Sequence, residues 1–176
     1  MIRQLRNLPI SFIATCLLVA GCVLSTPVSA LSLSYVYRGN NFDQLDGTPG
    51  VFSTADRVTG NFTIDCSVAH TEGDCKNLPY DDYLELGAID QESIQFLAGP
   101  AKLPTPDGSV IISEFTFSTD ATANINDWDI ELFSEDPFQN IDTDNINGGI
   151  DSAAALGGGA NNNGIPGTWG TEHAVT

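Results

Sequence analysis

Cations are scarce in this sequence: Lys and Arg number 6 against 23 Asp and Glu, and there are 2 His. Beyond residue 30 the cations are Arg38, Arg57, Lys76 and Lys102 alone, so that part carries all 23 acids and a formal charge of −19. A field of that sign repels phosphate backbones and excludes nucleic-acid binding as a function class. It also disfavours anionic membrane surfaces, and it is compatible with cations, cationic partners or simple solubility. No segment after residue 30 approaches the ~20 apolar residues of a membrane-crossing helix, so no transmembrane helix is expected in the mature chain. There is no Gly-x-Ser-x-Gly elbow. The two histidines, His70 and His173, fall in a polar loop and in the last residues, which leaves a nucleophile without a plausible base. No long stretch shows a 3.6-residue apolar period, which argues against a helical bundle.

What is present has period two. The segment from Ser113 to Pro137 reads as two strands joined by a polar turn over residues 119–126. On the first strand Ile111, Ser113, Phe115 and Phe117 share one face, and Glu114, Thr116 and Ser118 share the other. On the second, Trp128, Ile130 and Leu132 alternate with Asp127, Asp129 and Glu131. Alternation of this kind places one face on a core and one in water. Asp and Asn in the link bond their own backbone and tolerate left-handed angles, so a turn is the natural reading.

Further strands follow from the same pattern. Leu31, Leu33, Tyr35 and Tyr37 alternate with Ser32, Ser34, Val36 and Arg38, and Val58, Gly60, Phe62, Ile64 and Cys66 alternate with Thr59, Asn61, Thr63 and Asp65. Ile94 and Phe96 mark a strand over Glu92 to Leu97. Leu84, Leu86 and Ala88 favour a strand over a helical turn. Gly167-Thr168-Trp169-Gly170 adds a last short strand that buries Trp169. Between them lie Gly and Pro turns, including Asp46-Gly47-Thr48-Pro49-Gly50, Gly99-Pro100 and Pro104 to Gly108. The region of about 140–166 carries Asp, Asn, Ala and Gly with isolated isoleucines, and a flexible segment is expected there. With 176 residues in total, one domain suffices. The fold class expected is all-β: an antiparallel, jelly-roll-like β-sandwich over residues 31–176.

The first 30 residues read as a targeting segment. Arg3 and Arg6 precede an apolar run from about Leu8 to Val23, and Val28-Ser29-Ala30 is a small-residue site of the kind that signal peptidase cuts. Cleavage after Ala30 would start the mature chain where the strand pattern starts. The alternative is lipidation at Cys22, because Val19-Ala20-Gly21-Cys22 resembles a lipobox, which would anchor the protein as a lipoprotein. Either route exports the chain to oxidising conditions. Of the four cysteines, Cys16 and Cys22 lie in the leader, so Cys66 and Cys75 are expected to pair as a disulfide. A zinc site is the other use of a Cys pair, and the spacing and the one nearby His70 do not fit the usual patterns.

Three sets of residues are candidates for function. Asn140, Asp142, Asp144, the carbonyl of Ile146 and Asp151 stand at positions 1, 3, 5, 7 and 12 of a loop, the oxygen-ligand positions of an EF-hand-like Ca²⁺ site. Asn in the first place and Asn145 where Gly is customary depart from that pattern, and a solvated Asp/Asn loop is the competing reading. Tyr80, Tyr83 and Trp169 are candidates for an aromatic carbohydrate-binding platform. Asp127, Asp129 and Glu131 are spaced so that a glycosidase pair is geometrically permitted. A row of like charges also serves as a solvated outer face that discourages sheet-to-sheet pairing.

The runs Ser34-Tyr35-Val36-Tyr37-Arg38-Gly39-Asn40-Asn41-Phe42, Val58-Thr59-Gly60-Asn61-Phe62, Phe115-Thr116-Phe117-Ser118-Thr119-Asp120-Ala121 and Asn124-Ile125-Asn126-Asp127-Trp128-Asp129-Ile130 resemble a group of secreted bacterial proteins, many with a C-terminal PEP-CTERM sorting signal. The resemblance implies an exported β-sandwich of envelope or exopolysaccharide biology and supplies no catalytic residues. The sequence here ends Thr171-Glu172-His173-Ala174-Val175-Thr176, without that sorting signal, and free secretion is the expectation. The leading functional expectation is a non-catalytic envelope or extracellular-matrix interaction module, with an extracellular glycan or an envelope protein as partner. The alternative is a carbohydrate-binding domain, calcium-dependent or not. A glycan-active enzyme stands third. No cofactor is expected apart from Ca²⁺ in the second case.

Overall fold

A computed structural model describes residues 31–105, 108–146, 149–163 and 167–173. The targeting segment, with Cys16 and Cys22, lies outside the described residues. The first strands are β1 (Ser32–Arg38), β2 (Gln44–Gly47), β3 (Val58–Asp65), β4 (Asp81–Asp82), β5 (Ile89–Ala98) and β6 (Ala101–Pro104). Then come β7 (Val110–Thr119), β8 (Ile125–Glu135), β9 (Phe138–Asp144), β10 (Ile150–Ala155), β11 (Gly158–Asn163) and β12 (Thr168–His173). One helical turn, α1 (Cys66–Ala69), follows β3. The strands form two antiparallel sheets, one of order β12-β1-β3-β5-β6 and one of order β2-β11-β10-β9-β8-β7-β4. This is the expected all-β sandwich, and from β7 to β11 the larger sheet is an up-and-down meander.

The core is where the alternation placed it. Tyr35 and Tyr37 of β1, Phe62 and Ile64 of β3, and Phe96 of β5 face Phe115 and Phe117 of β7 and Trp128, Ile130 and Leu132 of β8, all buried. Rings meet edge-on across the sandwich, as with Phe62 and Phe115 at 5.0 Å and Tyr37 and Trp128 at 5.7 Å. Such pairs add about 0.5–1.5 kcal/mol each to the burial of their area. Half-buried Trp169, on the edge strand β12, packs against this cluster and meets the rings of Tyr35, Tyr37, Phe62, Phe96 and Trp128.

The turn between β7 and β8 forms for the reason its sequence suggests. The Asp120 carboxylate accepts from the backbone N–H groups of Asn124 and Thr122 at 2.9 and 2.8 Å and from the Thr122 hydroxyl. Those donors hold its pKa down to about 2, the Asn124 backbone first. Cys66 and Cys75 are bonded to each other. The loop they close is tied to the end of β7, where the Thr119 hydroxyl donates to Cys75 O and accepts from Leu78 N.

Four expectations are corrected. In β7 the register shifts between Ile112 and Glu114, so one extra residue turns the strand over. Val110 and Ile112 therefore pack toward the core, while Ile111 and Ser113 point outward and Ile111 is 45% exposed. The segment after Tyr80 is a strand only at Asp81–Asp82. The Asp82 carboxylate then captures the N–H groups of Leu84 and Glu85, each at 2.9 Å, which bends the chain into a turn before the Leu84/Leu86 alternation can pair. Two short strands, β2 and β6, occupy stretches that read as turn and loop. Fourth, the region of about 140–166, expected to be flexible, contributes β9, β10 and β11. Its inward positions are Ile141, Thr143, Asp151, Ala153, Ala160 and Asn162, all buried, and they are too small or too polar to show as apolar periodicity.

Polar groups inside the sandwich require partners, and Asp151 supplies them. Its fully buried carboxylate accepts from the Tyr37 hydroxyl, from Thr143 Oγ1 at 2.8 Å and from Asn162 Nδ2 at 3.0 Å. Tyr37 Oη in turn accepts from Gly167 N at 2.8 Å, and Thr143 Oγ1 from Trp128 Nε1 at 3.0 Å. Two glycines allow this closeness: a Cβ on Gly39 would sit 2.3 Å from Asp151 Oδ2, and one on Gly167 would sit 2.5 Å from Tyr37 Oη. Burial raises the pKa of Asp151, and the hydrogen bonds from Tyr37, Thr143, Asn162 and the Asn40 backbone offset part of the rise. Removing the carboxylate orphans several buried donors at roughly 1–3 kcal/mol each. Asp151→Ala is therefore expected to lower unfolding free energy by about 3 kcal/mol or more in urea titration. Exposed Glu85→Ala should shift it by less than about 0.5 kcal/mol.

Candidate functional site

The outer face of the five-stranded sheet is concave. Outward residues of its three inner strands form two rows across the sheet: Val36 opposite Asn61 opposite Gln95, and Arg38 opposite Thr59 opposite Leu97. Arg57, on the residue before β3, completes the rim of a cavity of about 480 Å³. The curvature has a local cause. The pairing of β3 and β5 shifts register between Asn61 and Thr63, and bulges bend and twist the strand that carries them. Ser93 fills the irregularity: its hydroxyl accepts from Thr63 N at 2.8 Å, and its carbonyl accepts from Asn61 Nδ2 at 3.0 Å. Among the described residues the only ion pair joins His70 and Asp74, so neither arginine is neutralised by a carboxylate. No Asp, Glu or His lines this cavity.

The outer face of the seven-stranded sheet carries a crowd of carboxylates, unlike the lining of this cavity. Asp129 on β8 stands opposite Asp144 on β9, Glu131 stands opposite Asp142, and Glu114 of β7 pairs with Glu131 on the other side. Burial, then the charges of Asp144, Asp129, Glu131 and Asp151, push Asp142 up to about 7. Asp129 is raised by burial and then by Asp144, Glu114 and Glu131. Glu131 is held in place by Asn140 Nδ2 at 2.9 Å and by the Ser113 hydroxyl at 2.7 Å. Of the trio expected on this face, Asp127 is exposed, while Asp129 and Glu131 are half-buried against the second carboxylate row. The raised proton affinity here comes from burial first and from crowding among the carboxylates second. The cavities of about 480, 190 and 280 Å³ are lined by none of these five carboxylates.

The calcium candidates do not converge. Asn140, Asp142 and Asp144 lie on the outer face of extended β9, while Asp151 faces the core from β10 and Ile146 is exposed beyond the strand end. An extended chain of five residues spans roughly 13 Å, too straight to wrap one ion. Among the described residues, the group whose donor atoms lie within 4.8 Å of one another is instead His70, Glu72 and Asp74, on the loop closed by the disulfide. His70 Nδ1 is 3.3 Å from Asp74 Oδ1.

The aromatic platform is also dispersed. Tyr83 is 1% exposed, its ring 4.7 Å from that of Phe117 and its hydroxyl donated to Pro79 O. Trp169 is committed to the core cluster. Tyr80 alone is exposed, at 45%, and its hydroxyl shares a hydrogen bond with Thr116 beside the acidic face. Burial, with help from Asp129, Glu114 and Asp144, raises its pKa. The residues that sequence reasoning did not single out are Arg38, Arg57, Thr59, Asn61 and Gln95. A signal was present, since two of the four cations beyond residue 30 flank the two most regular strand patterns. Their meeting on one face, however, depends on the pairing of β1 with β3.

Comparison with protein-family models, curated proteins and solved structures gave no match.

The acidic face has a measurable signature. In the folded chain Asp142 takes up its proton near 7, against an ordinary 3.8, so between those values the folded state binds more protons than the unfolded. The contribution of this group to stability therefore falls as pH rises from 3.8 to about 7. Asp142→Asn is expected to flatten the melting temperature across that window and to raise it above neutrality. Superimposable melting profiles for the two proteins would contradict the assignment.

Proposed function

We propose that this protein is a non-catalytic interaction module of the bacterial envelope or extracellular matrix, and that it binds through the concave face of its five-stranded sheet. The observation that carries this reading is the lining of that cavity. It combines hydrogen-bonding amides and a hydroxyl (Asn61, Gln95, Thr59), two cations (Arg38, Arg57) and two apolar side chains (Val36, Leu97). These groups recognise and orient a ligand. No Asp, Glu or His is among them, so this surface is equipped to hold a molecule and not to perform acid–base chemistry on it. The N-terminal targeting pattern and the Cys66–Cys75 bond agree with an exported protein.

A carbohydrate-binding domain is the second reading, and the same surface favours it. Amide and hydroxyl side chains on a rigid sheet match sugar hydroxyls, and Val36 and Leu97 offer apolar contact for a ring. This form of the reading needs neither calcium nor the dispersed aromatic trio. A glycan array with the purified protein, followed by Gln95→Trp, tests both forms. Gln95 is exposed, so the bulky ring should fill the cavity without disturbing the core. Binding is expected to disappear while the melting temperature stays within about 2 °C, the scale for surface substitutions. Binding that survives Gln95→Trp unchanged would place the surface elsewhere.

A further inference from the structure

We infer that the ligand of the concave face is an acidic polysaccharide, a sugar chain bearing carboxylates. This rests on the proposed binding role of that face. The argument begins with where the few positive charges are. Beyond residue 30 there are four cations against 23 acids, yet Arg38 and Arg57 meet at one cavity whose lining includes no carboxylate. In so acidic a chain a neutralising partner is available almost anywhere, and neither arginine has one among the described residues. Guanidinium groups match carboxylates as forks, with two parallel hydrogen bonds. An unneutralised pair at the rim of a hydrogen-bonding cavity is therefore suited to an anion on an otherwise polar ligand.

The overall charge does not oppose this. The crowded carboxylates Glu114, Asp129, Glu131, Asp142 and Asp144 lie on the outer face of the other sheet, and the acids that share this face, Asp65, Asp90 and Glu172, pair at the Ser32–Ser34 end of β1, away from the Arg38 row. Packed sheets stand about 10 Å apart. Outer-face charges are therefore at least that far apart, and their paths through solvent around the sandwich exceed the Debye length of about 8 Å at physiological ionic strength. A single flexible chain laid along the arginine rim is thus screened from them. A duplex with a charge every ~1.7 Å and a broad footprint is not.

A sugar fits better than an acidic peptide. Peptides commonly dock on sheets by adding a strand at an edge. Here β1, β3 and β5 are each paired on both sides, so the face offers no free backbone groups. It offers side chains only, in rows of Val36, Asn61 and Gln95 and of Arg38, Thr59 and Leu97.

The test is isothermal titration of the protein with polygalacturonate, neutral dextran, dextran sulfate and poly-glutamate at physiological salt. Polygalacturonate is expected to bind and neutral dextran not to. The double variant Arg38→Ala/Arg57→Ala should weaken polygalacturonate binding at least about tenfold, the scale of one charge-assisted hydrogen bond. Its melting temperature should be unchanged, and Arg38→Lys/Arg57→Lys should restore part of the affinity. Dextran sulfate bound in preference to polygalacturonate would overturn the carboxylate assignment, and poly-glutamate bound as well as polygalacturonate would overturn the sugar. A neutral glycan that binds, is blocked by Gln95→Trp and ignores the arginine variants would overturn this inference and leave the broader reading standing. If no glycan binds in the titrations or on the array, this inference and the carbohydrate reading fall together.

Discussion

The buried carboxylate of Asp151 is the constraint on which the sandwich depends. It sits on the inner face of the larger sheet and accepts a proton donor from Tyr37 of the smaller one, so it joins the two layers directly. Around it gather β1, β8, β9, β10 and β11 together with the chain entering β12, through Tyr37, Trp128, Thr143, Asn162 and Gly167. A buried carboxylate is costly unless its oxygens are fully satisfied. Once satisfied, it is demanding about geometry, because each donor must arrive at the right distance. That requirement explains why glycines occupy positions 39 and 167, and why inward residues of β9 to β11 can be small and polar without loss of order.

With the interior held in this way, the two outer faces are free to differ. One carries a double row of carboxylates, where burial and then crowding raise Asp142 and Asp129. The other carries the two arginines and a hydrogen-bonding floor. Segregation of this kind is not needed for folding, since either face could be uniformly polar. On the proposed reading, it leaves one side for recognition.

Where large apolar residues alternated with polar ones, secondary structure was legible in advance. Strands β1, β3, β5, β7 and β8 all fall where Tyr35, Phe62, Phe96, Phe117 and Ile130 and their neighbours indicate. The pairing of Cys66 with Cys75 and the Asp120 turn were legible for equally local reasons. The bulge in β7 was not, because one inserted residue leaves composition unchanged while reversing which of Ile111 and Ile112 faces inward. Strands β9 to β11 escaped detection because their buried positions are Thr143, Asp151, Ala153, Ala160 and Asn162. The pattern there is kept by hydrogen bonds to distant segments, which no window of sequence contains.

Residue order alone carried an acidic all-β chain, with its core aromatics, its disulfide and its scarcity of cations. These follow from residue type and short-range alternation, and both act within a few positions. Which scattered residues meet was left to the packed fold. It separated Asp151 from Asp142 and Asp144 onto opposite faces of one sheet, and it committed Trp169 to the core. It also brought Arg38 and Arg57 to one cavity, because antiparallel pairing sets the end of β1 beside the start of β3. Contacts of that range depend on register and sheet order, and these are fixed by the packing of the whole sandwich around Asp151.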